Sequence, residues 1–129
     1  MTIISLGIDI AKNVFQLHGV DAREKVVLQK KLSRDKLLKF IAQLPACKIG
    51  MESCGGSNYW AKQFQALGHE VKLISPQFVK PYVKSNKNDR QDAEAICEAL
   101  TRPSMRFVSI KTLEQQDIQA VHRIRQQSH

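Results

Sequence analysis

The chain has 129 residues, 43% hydrophobic and 25% charged, which fits one globular domain able to bury roughly two-thirds of its unfolded surface. Twenty Lys and Arg against twelve Asp and Glu give a net charge of +8, and that excess points to a polyanionic partner, most often nucleic acid. No apolar run approaches the ~20 residues of a membrane span, and residues 1–6 show neither a basic leader nor a small-residue cleavage site, so a cytoplasmic protein without a membrane partner is expected.

In chain order, residues 3–10 read as a central strand, apolar on both faces. Residues 13–20 alternate, with Val14, Gln16, His18 and Val20 opposite Phe15 and Leu17, as a half-buried strand does. The short link between the two implies an antiparallel hairpin. After a polar turn, residues 25–32 make a third strand. Ser33 is placed to cap a helix carrying Leu37, Leu38, Ile41 and Leu44, with Pro45 as its stop.

Residues 47–51 form a fourth strand ending at Glu52. Gly55-Gly56 is a turn, and Ser57 caps a helix whose apolar stripe is Trp60, Phe64 and Leu67, closed by Gly68. Residues 70–74 are a fifth strand, followed by an irregular or short helical stretch through Phe78, Val79, Tyr82 and Val83. After the polar residues 85–88, Ala93, Ile96, Cys97 and Leu100 form a helical stripe broken by Pro103. Residues 106–108 read as a brief extended piece. Residues 112–127 carry a thin apolar line of Leu113, Ile118, Val121 and Ile124.

Three hairpin-linked strands followed by two strand–helix units give an α/β, ribonuclease H-like architecture. Its expected five-stranded mixed sheet has the order 3-2-1-4-5 and is flanked by helices. That order puts Asp9, at the end of the first strand, beside Glu52, at the end of the fourth. Asp89 and Asp92 stand three apart and share one face of the helix that follows. Each acid has a bland reading. Asp9 can accept turn hydrogen bonds, Glu52 can favour a helix start, and acids in a first helical turn are common. All four at one sheet edge in a basic chain is a different matter. Converging carboxylates need positive charge, and a pair of Mg²⁺ or Mn²⁺ ions with oxygen ligands supplies it in phosphodiester chemistry.

Around these acids, Lys12 follows Asp9, and Lys80, Lys84, Lys87 and Arg90 lead into the acidic helix with Tyr82 among them. A basic run is usually a wet face, but beside a metal cluster it would hold a nucleic-acid backbone. Cys47, Cys54 and Cys97 are odd in number and form no CxxC pair, so reduced thiols are expected, with Cys54 a small packing residue.

The stretches Gly7-Ile8-Asp9-Ile10-Ala11-Lys12, Met51-Glu52-Ser53-Cys54-Gly55-Gly56 with Tyr59-Trp60-Ala61, and Lys87-Asn88-Asp89-Arg90-Gln91-Asp92-Ala93 resemble the N-terminal domain of the DEDD transposases of bacterial insertion sequences, the IS110 family with the Piv-type invertases. That domain is similar to the RuvC junction resolvase. The resemblance implies a DNA transposase or recombinase that cleaves and transfers strands with Mg²⁺, with Asp9, Glu52, Asp89 and Asp92 as catalytic and metal-binding acids. It further implies DNA and element-encoded RNA as partners. Family members continue through a helical arm into a serine-bearing second domain. Residues 1–110 are therefore expected to be the catalytic domain and residues 111–129 the start of that arm, truncated before the second domain; the thin apolar line of residues 112–127 is expected either to pair with the same helix of a second copy or to fray.

Other readings share parts of this pattern. A stand-alone RuvC-like resolvase needs only the acidic site, and a non-catalytic nucleic-acid-binding remnant needs only the fold. A sugar-kinase or actin-like ATPase shares the Gly-Ile-Asp hairpin but needs a second half for which 129 residues leave no room.

Overall fold

The computed structural model describes residues 2–11, 13–84 and 89–110, with the backbone alone at residues 89–91. Its strands are β1 (Ser5–Ile10), β2 (Val14–Val20), β3 (Val26–Ser33), β4 (Lys48–Glu52), β5 (Glu70–Ile74) and β6 (Phe107–Val108). Its helices are α1 (Arg34–Gln43), α2 (Ser57–Ala66), α3 (Pro76–Val79) and α4 (Asp89–Leu100), and a single 3-10 turn at Lys80–Tyr82 follows α3.

The sheet order is β3-β2-β1-β4-β5-β6. The first three strands pair antiparallel, β4 and β5 run parallel to β1, and β6 closes the edge antiparallel to β5. The expected order therefore holds, extended by one strand. Residues 107–108 were too short an extended piece to read as a sheet member, because two residues carry no periodicity.

The strand alternation sorts the core into two layers. Leu6 and Ile8 of β1, Phe15 and Leu17 of β2, and Ile49 and Met51 of β4 are all buried with Leu37, Ile41, Trp60, Ala61 and Phe64 of α1 and α2. The Trp60 ring meets Phe15 edge-on at 5.1 Å, and the Arg34 guanidinium lies over it at 5.1 Å. The opposite layer is smaller. There Ile74, Val79, Ala95, Ile96, Ala99 and Leu100 cluster, so α4 is the main cover of that face.

Three local expectations need correction. Ser57 is the first residue of α2, and Gly56 takes the cap position. Its buried hydroxyl accepts from the Cys54 N–H at 3.0 Å and donates to the Cys54 carbonyl at 2.8 Å, so it ties down the preceding loop. Ser33 does hold the cap position of α1, in the extended conformation usual for a cap, but its side chain makes no capping bond. Leu67 is 40% exposed, since α2 ends at Ala66 and the chain turns away at Gly68, whose φ of +96° suits glycine.

Of the cysteines, Cys47 and Cys97 are buried thiols, pushed up to about 11 and about 12 by burial. Cys54 is exposed in the loop after β4, not packed as expected. His69 is a structural residue: its Nδ1 accepts from the Cys47 N–H at 3.1 Å, and its Nε2 lies 2.9 Å from the Ile41 carbonyl.

Candidate metal centre

Ile8 of β1 pairs with Met51 of β4 in parallel register, and one step further along both strands stand Asp9 and Glu52. Glu52 in turn pairs with Ile74, and Asp9 pairs with Gln16. Residues opposite each other on neighbouring strands project to the same face. Asp9 and Glu52 are therefore neighbours at one level of the sheet, on the α4 side, and both are half-buried.

Two glycines decide how α4 reaches them. A Cβ built on Gly7 would stand 2.5 Å from the Ala93 carbonyl oxygen and 2.6 Å from the Cys97 nitrogen, so the helix backbone rests directly on β1 there. On Gly50, a Cβ would meet Leu100 at 3.1 Å. The Cys97 thiol also donates to the Ser5 carbonyl at 3.7 Å. Moving forward along β1 from Ser5 to Gly7 thus means moving back along α4 from Cys97 to Ala93, and helix and strand are antiparallel. Asp9 lies about 6.6 Å beyond Gly7 along the strand, and Asp89 about 6 Å before Ala93 along the helix. The first turn of α4 is carried over the Asp9–Glu52 end of the sheet, and Asp92 there is half-buried.

The sequence reading missed Gly7 and Gly50, although both occupy strand positions on the acid face, where a glycine signals close backbone approach. The glycines it did single out behave otherwise. Built Cβ atoms on Gly55 and Gly56 meet nothing within 4 Å.

Among the described residues no three His, Cys, Asp or Glu side chains already stand together as an ion's ligand set. The Asp89 side chain is not among those described. What fits a hard cation is the donor chemistry, carboxylate oxygens from two adjacent strand ends and from the helix turn above them.

The basic residues divide. Lys80 is exposed in the 3-10 turn. Lys84 lies 3.5 Å from Glu94 and 3.7 Å from Glu98, so it fastens α4 while its side chain stays 63% exposed. Lys12, Lys87, the Arg90 side chain and the 112–127 stripe lie outside the described residues.

Beside Gly7, on the same face, His18 of β2 forms one wall of a cleft of about 270 Å³ against α4, with Lys84, Glu94, Glu98 and Thr101. Its Nδ1 is buried without a hydrogen-bond partner among the described residues. Burial holds the imidazole below its ordinary 6.5, opposed by Glu94 and reinforced by Lys84. The folded chain therefore resists a proton that the unfolded chain accepts below about pH 6.5, and stability should fall as the pH drops through that value. Thermal melts between pH 7.5 and 5 should show this slope for wild type and a shallower one for His18→Phe. Equal slopes would place the titration elsewhere.

A mixed sheet in this order, with α4 laid across the ends of β1 and β4, defines the ribonuclease H-like class. T. thermophilus RuvC, solved in complex with a Holliday junction substrate, is similar in fold at a TM-score of 0.56 and 12% identity, over 82% of this chain and 99% of that one. The IS110 DEDD family model, described as a transposase, matches residues 6–129. The chain belongs to the IS110 family of DEDD transposases. It is 54% identical over 97% of its length to the "Probable family 20 transposase" of Pseudomonas aeruginosa, and 52% identical over 93% to the transposase for insertion sequence element IS1328 of Yersinia enterocolitica. It spans 37% and 36% of those relatives' lengths. Among the described residues, no helix is long and apolar enough to cross a membrane.

Proposed function

We propose that Asp9, Glu52, Asp89 and Asp92 form the divalent-metal site of the catalytic domain of a DNA transposase, acting in strand cleavage and transfer for insertion-sequence mobility. The observation that supports this most is the register: Asp9 and Glu52 side by side on one face, with the first turn of α4 laid over them. Mg²⁺ or Mn²⁺, as two ions, would supply Lewis-acid stabilisation of the attacking and leaving oxygens of a phosphodiester. The chain's own part is placement. Asp9, on the central strand beside Glu52 and under the first turn of α4, would hold metal together with them.

Lys12, Lys80, Lys87 and Arg90 would line the approach and meet DNA phosphates, and Lys84 could do so with its exposed side while holding α4. Residues 111–129, outside the described residues, would begin a helical arm that pairs with a second copy, and element-encoded RNA would be a further partner of the protein. The cytoplasm is the compartment where such a reaction would run.

The test is metal-dependent nicking of a labelled four-way DNA junction by the 129-residue chain. Wild type should nick in Mg²⁺ or Mn²⁺, and Asp92→Asn should lower the rate by about a thousandfold, the loss of several kcal/mol of transition-state stabilisation. Wild-type protein that binds the junction but leaves it intact at saturating metal would contradict the catalytic reading.

A further inference from the structure

The row of residues that contains Asp9 and Glu52 continues to both sheet edges. On the β3 side Asp9 pairs with Gln16, and Gln16 pairs with Lys31. Lys31, Gln16, Asp9 and Glu52 thus lie at one level, on one face, across four neighbouring strands. Behind this row, Gln29 pairs with His18 on the same face, and Gln16, Gln29 and Lys31 border a shallow groove of about 220 Å³ between β2 and β3.

The adjacent lysine does the opposite. Lys30 projects to the other face, where its ammonium sits over the Phe40 ring of α1 at 5.0 Å. Lys31 is exposed and directed to the acid face. At about 4.8 Å per strand, Lys31 stands about 10 Å from Asp9 across the sheet, within reach of a phosphate one or two nucleotides from one held at the acids.

We infer that Lys31 and Gln16 form the DNA-holding side of the acidic site: the backbone of the strand to be cut crosses β2 and β3, with Lys31 neutralising a phosphate next to the scissile one and the Gln16 amide donating to it. This rests on the metal-dependent reading of the acids proposed above. The occupant is a DNA strand because the two flanking groups are a cation and an amide donor, because the acids themselves would repel a polyanion without such a partner, and because the whole chain carries +8.

A charge-matched comparison tests it. Labelled four-way junction DNA is titrated in Ca²⁺ between 50 and 200 mM salt with wild type, Lys31→Glu, Lys31→Gln and Lys39→Glu. Lys39 is exposed on α1, on the opposite side of the sheet, and its reversal changes net charge equally. Lys31→Glu should weaken binding at least about tenfold and Lys31→Gln about threefold, each lowering the slope of log K against log salt by about one. Lys39→Glu should weaken it less than about threefold, and Mn²⁺ affinity should be the same in all four proteins. Equal losses for Lys31→Glu and Lys39→Glu, with wild type binding normally, would overturn this inference and leave the metal site standing; Lys31 would then merely guard an exposed sheet edge. A wild type that binds Mn²⁺ but no DNA would overturn it too. Loss of Mn²⁺ binding in wild type itself would count against the underlying site.

Discussion

Gly7→Ala should lower stability by about 3 kcal/mol, because the added methyl would collide with backbone atoms that cannot rotate aside. In a chain of this size that corresponds to a fall in Tm of about 10 °C. The neighbouring contact gives an internal comparison: at Gly50 the methyl's nearest neighbours would be side-chain atoms of Leu100, from 3.1 Å, and Gly50→Ala should be the milder variant. Gly7→Ala should also weaken metal binding at the proposed site although all four acids remain in the sequence, since α4, which carries two of them, is lifted from β1. Thermal melts and a Mn²⁺ titration on both variants check this. A Gly7→Ala protein as stable as wild type would mean that α4 does not rest on β1 as described.

Asp9→Asn should weaken Mn²⁺ binding about a hundredfold or more, and Glu52→Gln by a smaller factor, since Asp9 lies on the central strand, which α4 rests on. Ion-induced stabilisation offers a second readout. At a hundredfold excess over Kd, the wild type gains about 2.7 kcal/mol, close to 10 °C in Tm, whereas Asp9→Asn at the same concentration gains well under half of that. Equal Mn²⁺-induced shifts in the two proteins would remove Asp9 from the site.

Much of this was legible in the sequence because each signal was local. The alternation of Phe15 and Leu17 against Gln16 and His18, the short hairpin link, and the stripe through Ala93, Ile96, Cys97 and Leu100 each follow from a single repeat distance. Sheet order then placed Asp9 beside Glu52 without any knowledge of side chains. What escaped depended on contacts between distant segments. A strand glycine signals that some backbone comes close, but only the fold shows that α4 rests on Gly7; alternation puts Lys30 and Lys31 on opposite faces, but only the register sends one over Phe40 and the other to the acid face. Ser57 failed for a related reason. A serine before an apolar helical run looks the same whether it caps the helix or, as here, sits inside it and binds the preceding loop.

The most direct test is a crystal structure of the chain grown with Mn²⁺, with anomalous difference density collected at the manganese edge. The proposed site requires peaks bounded by Asp9, Glu52 and the first turn of α4. Ordered Mn²⁺ bound elsewhere, with the Asp9–Glu52 edge free of anomalous density at saturating metal, would contradict it.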